Sequence, residues 1–435
     1  MFSKKTFINK SILIYGLGLS GKSCFKYLSN KSSITIFDDN STLKNKKNKN
    51  FFLKIKNINQ YKFDYIVLSP GIDIKKCKLS NYLFKNKKKI ITELDIFYLF
   101  NPQNTKITIT GTNGKSTSCQ MLYNIFKSNN LDVRLVGNIG KPPLLEKNIK
   151  KKTIFIIEAS SYQIHYSNYF NTNYAVILNL NPDHLERHGN IHNYARAKLK
   201  LIYKQKKNNF SYIEKDNLFL KKNIMTEKIK SRINRLSFNK QQFFKNKINN
   251  PYLLDKNNLN NIHFIYSLCK KFKLSDNKIF NSLNNFKGLK FRKQIIYKSN
   301  KLMIINDSKS TSFSSTVGLL SSYKNIFWIV GGKYKIGDNF NLDKKYYKNI
   351  YAYIIGLNKN FFIKQFKNKI NFKYTKNLKK TISIIKKNIK NDENPKTILF
   401  SPAAASFDQF KNFEERGKYF NELVRKLILK NLYDR

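Results

Sequence analysis

The chain has 435 residues, enough for roughly three domains of about 150 residues each, and 41% of them are hydrophobic, which supplies a core and excludes a disordered chain. Eighty-three Lys and Arg against 26 Asp and Glu leave a formal net charge of +57. The lysines are nevertheless spread among Asn and Ile from end to end, not gathered into the patch or stripe of a polyanion footprint, so neither nucleic acid nor a membrane surface is the expected partner.

The opening MFSKKTFINKSILIYGLGLSG has the basic-then-apolar order of a signal peptide, but its apolar part is five residues long and runs into glycines, which predicts a first β-strand instead. Short β-branched runs then alternate with longer helical mixtures, the pattern of parallel α/β layers. SILIY (11 to 15), SITIFD (33 to 38) and DYIVLSPG (64 to 71) predict the strands of a first unit ending near Glu93. KITITG (106 to 111), TIFIIEAS (153 to 160) and YAVILNL (174 to 180) predict a second. LMIINDS (302 to 308), IFWIVGG (326 to 332), YAYIIG (351 to 356) and TILFSPA (397 to 403) predict a third. These strands close on Gly, Pro, Ser or Asp, where open α/β sheets hold ligands. The stretch from 203 to 255 is rich in Lys and Asn, has weak periodicity and carries no assignable function. Cys24, Cys77, Cys119 and Cys269 form no CxxC pair, as expected for reduced thiols in a cytosolic protein. No apolar run approaches the roughly 18 to 20 residues of a bilayer span.

Gly16-x-Gly18-x-x-Gly21 directly follows the first strand, and Asp38 ends the second. Glycines let a backbone approach a phosphate, and the helix behind them offers N–H donors to an anion. A dinucleotide, any other nucleotide diphosphate, or a ligand-free tight turn satisfies this pattern.

ITGTNGKST (109 to 117) is sharper. Backbone N–H groups from Thr112 to Lys115 are placed to wrap phosphate oxygens, Lys115 to reach the β and γ phosphates, and the Ser116 or Thr117 hydroxyl to meet Mg²⁺. The standard P-loop has glycine where this chain has Ile109, and the glycine here is Gly111. Phosphate binding is expected even so, because Gly-Lys-Ser-Thr after a strand is rare by accident. Glu158 ends a later strand in EASSYQ, and Asp183 and His184 follow another in NLNPDHLERHGN; acids and a neutral imidazole beside a phosphate loop suit Mg²⁺ and a reacting phosphoryl group. HLERH is not HExxH, so zinc is set aside, and His165, His188, His192 and His263 are assigned structural or surface roles.

Eight ordered blocks carry a resemblance to a known family: ITGTNGKST, GNIG (137 to 140), EASSYQ, NPDHLERHG, AKLKLIY (from 197), NDSKSTS (306 to 312), GGKYK (331 to 335) and SPAAASFDQFKNFEERG (401 to 417). Together they resemble the Mur ligases from about residue 11 to 425, the first-named and last-named C-terminal blocks being similar to the D-glutamate-adding branch. The resemblance implies an α/β fold of three domains: a Rossmann-like N-terminal domain (1–93) for a UDP-linked substrate, a central P-loop ATPase-like domain with a parallel sheet (94–293), and a Rossmann-like C-terminal domain (294–435) for the incoming amino acid. It implies a cytoplasmic, monomeric, ATP-dependent ligase of peptidoglycan precursor synthesis, acting on UDP-N-acetylmuramoyl-L-alanine and D-glutamate through an acyl phosphate.

Carried over residue by residue, the resemblance implies that Gly18, Leu19, Ser20, Asp38, Gly71 and Asn138 meet the UDP-linked substrate. Gly111, Thr112, Asn113, Gly114, Lys115, Ser116 and Thr117, with Asn261, Arg292 and Asp307, meet ATP. Ser116, Glu158, His184 and Lys198 hold Mg²⁺, with two ions expected, and Lys115, His184 and Lys198 serve catalysis. Lys198 matches a carbamylated position, where CO₂ addition turns an ammonium that would repel Mg²⁺ into a carboxylate. Lys309, Lys335, Ser406 and Phe413 surround D-glutamate.

Three positions depart from the family pattern: Asn257 replaces a His near Asn261, Phe291 a His before Arg292, and Lys333 an acid after the paired glycines. Phe291 and Lys333 bear on nucleotide affinity more than on reaction type. A dehydrogenase would leave the phosphate loop and metal acids unexplained. A nucleic-acid-dependent ATPase would show steep salt dependence, and a ligase adding diaminopimelate or extending folate would lack a reason for SFDQFKNFEERG.

Overall fold

The structure is a computed structural model that describes residues 4–40, 43, 48–53, 55–224, 229–335, 337–390 and 394–429. Three α/β sheets follow one another along the chain. The first contains β1 (Ser11–Tyr15), β2 (Ser33–Phe37), β3 (Tyr65–Leu68) and β4 (Ile90–Ile91), in the order β2-β1-β3-β4, all parallel. The second contains β5 (Thr105–Thr110), β6 (Val133–Gly137), β7 (Ile154–Glu158), β8 (Tyr174–Ile177), β9 (Phe210–Glu214) and β10 (Arg232–Leu236). Its order is β10-β9-β8-β5-β7-β6, again all parallel. The third contains β11 (Gln294–Lys298), β12 (Leu302–Asn306), β13 (Ile326–Gly331), β14 (Ile350–Ile355), β15 (Asn371–Lys376) and β16 (Lys396–Phe400). It runs β11-β12-β16-β13-β14-β15, with β11 antiparallel on the edge.

The expected strands are those buried on both faces, which parallel sheets fill with continuous apolar residues. Ile12, Leu13, Ile14 and Tyr15 of β1 and all of β7 are buried in this way. Strands without an expectation are shorter, more polar or lie at the margins. β4 has two residues, β10 (RINRL) and β15 (NFKYTK) are partly exposed edges, and β11 (QIIYK) is half-buried along its length. The stretch from 203 to 255 contributes β9 and β10, two structural strands at the far side of the second sheet.

The chain divides into two compact units, Met1–Phe286 and Lys287–Arg435. In the first unit one hydrophobic cluster takes side chains from both sheets, Ile12 and Ile14 with Ile157 and Ala175, and the helix Glu93–Phe100 lies between them. Phe97 sets its ring edge-on to Phe155 at 4.8 Å. Asp95, fully buried, caps that helix and accepts from Ser167 Oγ and the backbone N–H groups of Asn168, Tyr169 and Phe170. A buried carboxylate so fully bonded locks the first sheet's last helix to the second sheet. Among the described residues no helix is long and apolar enough to cross a membrane.

Candidate active site

The order β8-β5-β7 puts the chain's turn of direction at β5, and the loops leaving β5 and β8 flank the resulting crevice. The loop after β5 runs from Gly111 to Gly114 and opens the helix Lys115–Ser128. Gly114 has φ +82, and a Cβ there would lie 2.4 Å from Asn261 Nδ2, so the turn admits glycine alone while bringing Asn261 against the loop. Lys115 curls back, its Nζ donating to the carbonyls of Gly111 at 2.9 Å and Thr112 at 2.8 Å. Ser116 and Thr117 are buried in the first helical turn.

Asn179, just past β8, grips the loop from the other side. Its Oδ1 accepts from Thr112 N at 3.1 Å and Asn113 N at 2.9 Å, and its Nδ2 donates to the Asn113 carbonyl at 3.1 Å. Thr112 Oγ1 bonds the Asn181 backbone at 3.0 to 3.1 Å and lies 3.2 Å from the Tyr194 hydroxyl.

Lys198 comes from the helix Ile191–Tyr203 and is 1% exposed. Its Nζ donates to the Gly111 carbonyl at 2.9 Å and Thr110 Oγ1 at 3.3 Å, and sits 4.6 Å over the Tyr194 ring. Burial, and then the charge of Lys115, push this amine well below the ordinary lysine range, while Asp183 and Glu158 partly oppose the shift. An amine whose basicity is lowered in this way gives up its proton more readily than an ordinary lysine ammonium.

Glu158 ends β7 with its side chain buried; Oε1 accepts from Asn138 Nδ2 at 2.9 Å, and Oε2 has no hydrogen-bond partner. An uncompensated carboxylate oxygen at this depth suits a cation. His184, with φ +53, bonds the Tyr162 hydroxyl through Nδ1 at 3.0 Å and has Nε2 3.4 Å from Asp183 Oδ2. Its ring lies 6.4 Å from that of Tyr194, so Tyr194 borders both His184 and Lys198. Among the described residues no three His, Cys, Asp or Glu side chains gather as a metal-ligating group. Glu158 therefore fits a divalent ion completed by hydroxyl and phosphate oxygens, whereas Lys198 as an amine donor does not. His188 is buried, bonds Ser161 Oγ through Nε2 at 3.0 Å and is pushed down to about 4 by burial, a neutral structural histidine; burial lowers His165 to about 4 as well.

On the first sheet, the loop after β1 faces the loop after β3. Ser69 Oγ donates to the Gly16 carbonyl at 2.6 Å, and a Cβ on Gly21 would fall 1.8 Å from the Gly16 oxygen, so the third glycine serves strand-to-helix packing. Gly18 and Gly71 have open space around them, and Leu19 is 80% exposed beside Ser20 at the start of the helix Leu19–Leu28. Asp38 spends both oxygens on backbone, accepting from Leu17 N at 2.6 Å and Asn40 N at 2.8 Å. Arg187 bonds the carbonyls of Ile72 and Pro70 and lies over the rings of Tyr162 and Tyr166, tying the Gly71 loop to the segment that carries His184.

The second unit gathers its own set. Asp307, at the end of β12, accepts from Ser401 Oγ at 2.8 Å and Lys293 N at 3.0 Å; burial pushes its carboxyl up to about 6 against the pull of those bonds and of Lys293 and Arg292. Lys309 Nζ lies 3.7 Å over the Phe413 ring. Ser406 is buried in the loop after β16, and Lys335 follows the paired glycines after β13. Arg416, 1% exposed, donates to Ser308 Oγ and to the carbonyls of Ser308 and Ala404, bracing the loops after β12 and β16. Phe291 is 6% exposed and packs on Gly417, where a Cβ would meet its ring at 2.4 Å.

Residues 109–253 match the model of the Mur ligase middle domain. The chain is 32% identical over 444 residues to a protein named UDP-N-acetylmuramoylalanine--D-glutamate ligase from Rickettsia felis, covering 96% of this chain and 97% of that one. It is 32% identical over 426 residues to the protein of the same name from Francisella tularensis subsp. novicida, covering 97% of each. The chain belongs to the Mur ligase family, among its UDP-N-acetylmuramoylalanine--D-glutamate ligases. Its fold is that of a UDP-N-acetylmuramate-alanine ligase from Thermotoga maritima (TM-score 0.57, 14% identity, 96% and 100% of the two chains) and of a MurF ligase from the same organism in complex with ADP (TM-score 0.56, 14% identity, 99% and 98%). In this Mur ligase the phosphate-loop, Asn138, Glu158, Lys198 and Asn261 positions gather at the carboxyl ends of β5 and β7, with Asn138 on Glu158, Lys198 on Gly111 and Asn261 against Gly114. Asn179, Tyr162, Tyr194 and Arg416 join the sites without any spacing signal of their own; Tyr162, Asn179 and Arg416 are visible in sequence only as parts of longer quoted stretches, EASSYQ, NLNPDHLERHGN and SPAAASFDQFKNFEERG.

Proposed function

We propose that this Mur ligase joins D-glutamate to UDP-N-acetylmuramoyl-L-alanine at the expense of ATP, in the cytoplasm, as a monomer, for peptidoglycan precursor synthesis. The observation that carries the reading is the convergence of the Gly111–Thr117 loop, Lys115, Lys198 and Glu158 at the carboxyl ends of β5 and β7, in a chain aligned nearly end to end with D-glutamate ligases.

The alanyl carboxylate oxygen takes the γ-phosphoryl group and ADP leaves; the D-glutamate amine, as the free base, attacks the acyl carbon, and inorganic phosphate departs as the nitrogen gives up a proton to form the amide. A carboxylate is a poor acyl donor, and phosphorylation makes its oxygen a leaving group, so positioning and charge neutralisation remain for the protein. The helix opened by Lys115 directs its first N–H groups at a phosphate, and the Lys115 ammonium exchanges the Gly111 and Thr112 carbonyls for phosphoryl oxygens. Glu158, His184 and Ser116 would hold Mg²⁺, which when bound neutralises triphosphate charge and polarises the transferred group. Lys198 would join that set as a carbamate, its deprotonated amine adding CO₂ with formation of an N–C bond and release of a proton. Gly18, Leu19, Ser20 and Gly71 receive the UDP moiety at the open face of the first sheet, with Asp38 holding the loop in shape. Asn138 orients Glu158 while facing the UDP-linked substrate. Asn261, Arg292 and Asp307 serve the nucleotide, and Lys309, Lys335, Ser406 and Phe413 serve D-glutamate.

Phosphate release measured over D-glutamate, L-glutamate and meso-diaminopimelate, with the UDP-linked acceptor present, tests the reading. Release with D-glutamate alone, and only when acceptor is supplied, is expected. Equal release with diaminopimelate, or none with any amino acid, would reject it.

A further inference from the structure

The carboxamide of Asn179 treats the loop as a phosphate oxygen would, since one acceptor, Oδ1, receives the successive N–H groups of Thr112 and Asn113 at 3.1 and 2.9 Å. The Asn179 backbone carbonyl also accepts from Thr112 N at 3.1 Å, and Nδ2 closes a ring with the Asn113 carbonyl at 3.1 Å. The first half of the glycine loop is thereby satisfied from within the protein. The second half is the turn at Gly114 and the opening of the helix Lys115–Ser128, whose first N–H groups have no role in the helix's own ladder.

We infer that Asn179 is the positioning residue of the nucleotide site: it clamps Thr112 and Asn113 to the end of β8, so that phosphate is received by the Gly114–Thr117 half of the loop and not by the N–H groups of Thr112 and Asn113. The proposal rests on the ATP-ligase reading and refines it. Three features favour a clamp over a placeholder that phosphate displaces. The carboxamide is bound through both its ends, and a placeholder needs only its oxygen. The neighbouring Thr112 hydroxyl is held by the Asn181 backbone, so displacement would break a second set of bonds. On the far side Asn261 fills the space over Gly114, which confines the loop between two amides. A loop pre-ordered in this way gives up less entropy when nucleotide binds.

The two roles predict opposite signs. If Asn179 were a placeholder, Asn179→Ala would remove a competitor and tighten nucleotide binding. As a clamp, its loss frees the loop, and Mg·ADP affinity measured by calorimetry falls by at least about tenfold, with a matching rise in KM for ATP and KM for the UDP-linked substrate within about twofold. Unchanged or tighter Mg·ADP binding by a folded Asn179→Ala protein would overturn the inference. Amide hydrogen exchange of the unaltered protein tests the clamp even if that variant does not fold. The Thr112 and Asn113 amides should be protected before nucleotide is added and gain nothing from Mg·ADP, while the Gly114 to Ser116 amides gain protection. Fast exchange at 112 and 113 that Mg·ADP then slows would overturn it. Failure of the unaltered protein to bind Mg·ADP would strike the ligase reading instead, and fast exchange at 112 and 113 in the ligand-free protein would still overturn the clamp.

Discussion

Lys115 and Lys198 place their Nζ atoms on the same acceptor, the Gly111 carbonyl, each at 2.9 Å. Two lysines on one oxygen cannot both keep their charge cheaply, and the more deeply buried one, Lys198, gives way. The Gly111 carbonyl thus holds two lysine amines, of which Lys198 is the one made less basic.

Lys198→Ala is expected to lower kcat for phosphate release by at least about 100-fold with the protein still folded. Enzyme stripped of CO₂ and bicarbonate should lose activity reversibly and recover on adding bicarbonate. Normal turnover by the alanine variant, or indifference of the unaltered enzyme to bicarbonate, would remove Lys198 from the mechanism.

Glu158→Gln keeps the acceptor for Asn138 while removing the buried charge at Oε2. Stability should hold or rise, because an uncompensated buried carboxylate is costly. Turnover should fall by about 100-fold or more. Thermal midpoint and phosphate release measured on the same preparation test the split, and a drop in both would mean Glu158 is structural.

Gly21→Ala forces a Cβ to within 1.8 Å of the Gly16 oxygen, whereas Gly18→Ala meets nothing within 4 Å. Gly21→Ala should cost about 2 to 4 kcal/mol of stability, and Gly18→Ala less than about 0.5 kcal/mol. Because both lie in the turn and helix that follow β1, Gly21→Ala should weaken the UDP-linked substrate more than Mg·ADP. Chemical denaturation and ligand titration of the two variants check both parts.

Asp307 carries its carboxyl proton at higher pH when folded, about 6, than the ordinary 3.8. Between those values the native state binds a proton that the unfolded chain has released, so stability from this group is full at about pH 4 and falls as pH rises towards 6. Asp307→Asn cannot titrate, so its stability relative to the unaltered protein should improve by roughly 2 to 3 kcal/mol across that window. Urea unfolding of both proteins at about pH 4 and pH 7 measures the difference; a gap independent of pH would contradict the buried, protonated carboxyl.

Legibility followed the range of the physics involved. The strands of parallel sheets were readable because burial on both faces leaves a continuous apolar run, as in SILIY and IFIIE, whereas RINRL and NFKYTK at sheet edges keep polar residues that look like loop. Resemblance brought Lys198 and Asn138 forward from a chain full of Lys and Asn, which composition alone could not do.

By itself, the sequence determined what local backbone chemistry dictates: three α/β sheets, two glycine loops at strand ends, and a lysine and hydroxyls opening a helix. Those features depend on residues within a turn of one another. The folded chain alone decided which distant groups meet. It set Asn179 against Thr112, let Asp38 turn inward to Leu17 and packed Phe291 on Gly417. It also buried Lys198 beside Lys115 on one carbonyl. Charge state and hydrogen-bond partnership belong to the environment of a side chain, and that environment exists only after parallel strands far apart in the chain have aligned their carboxyl ends.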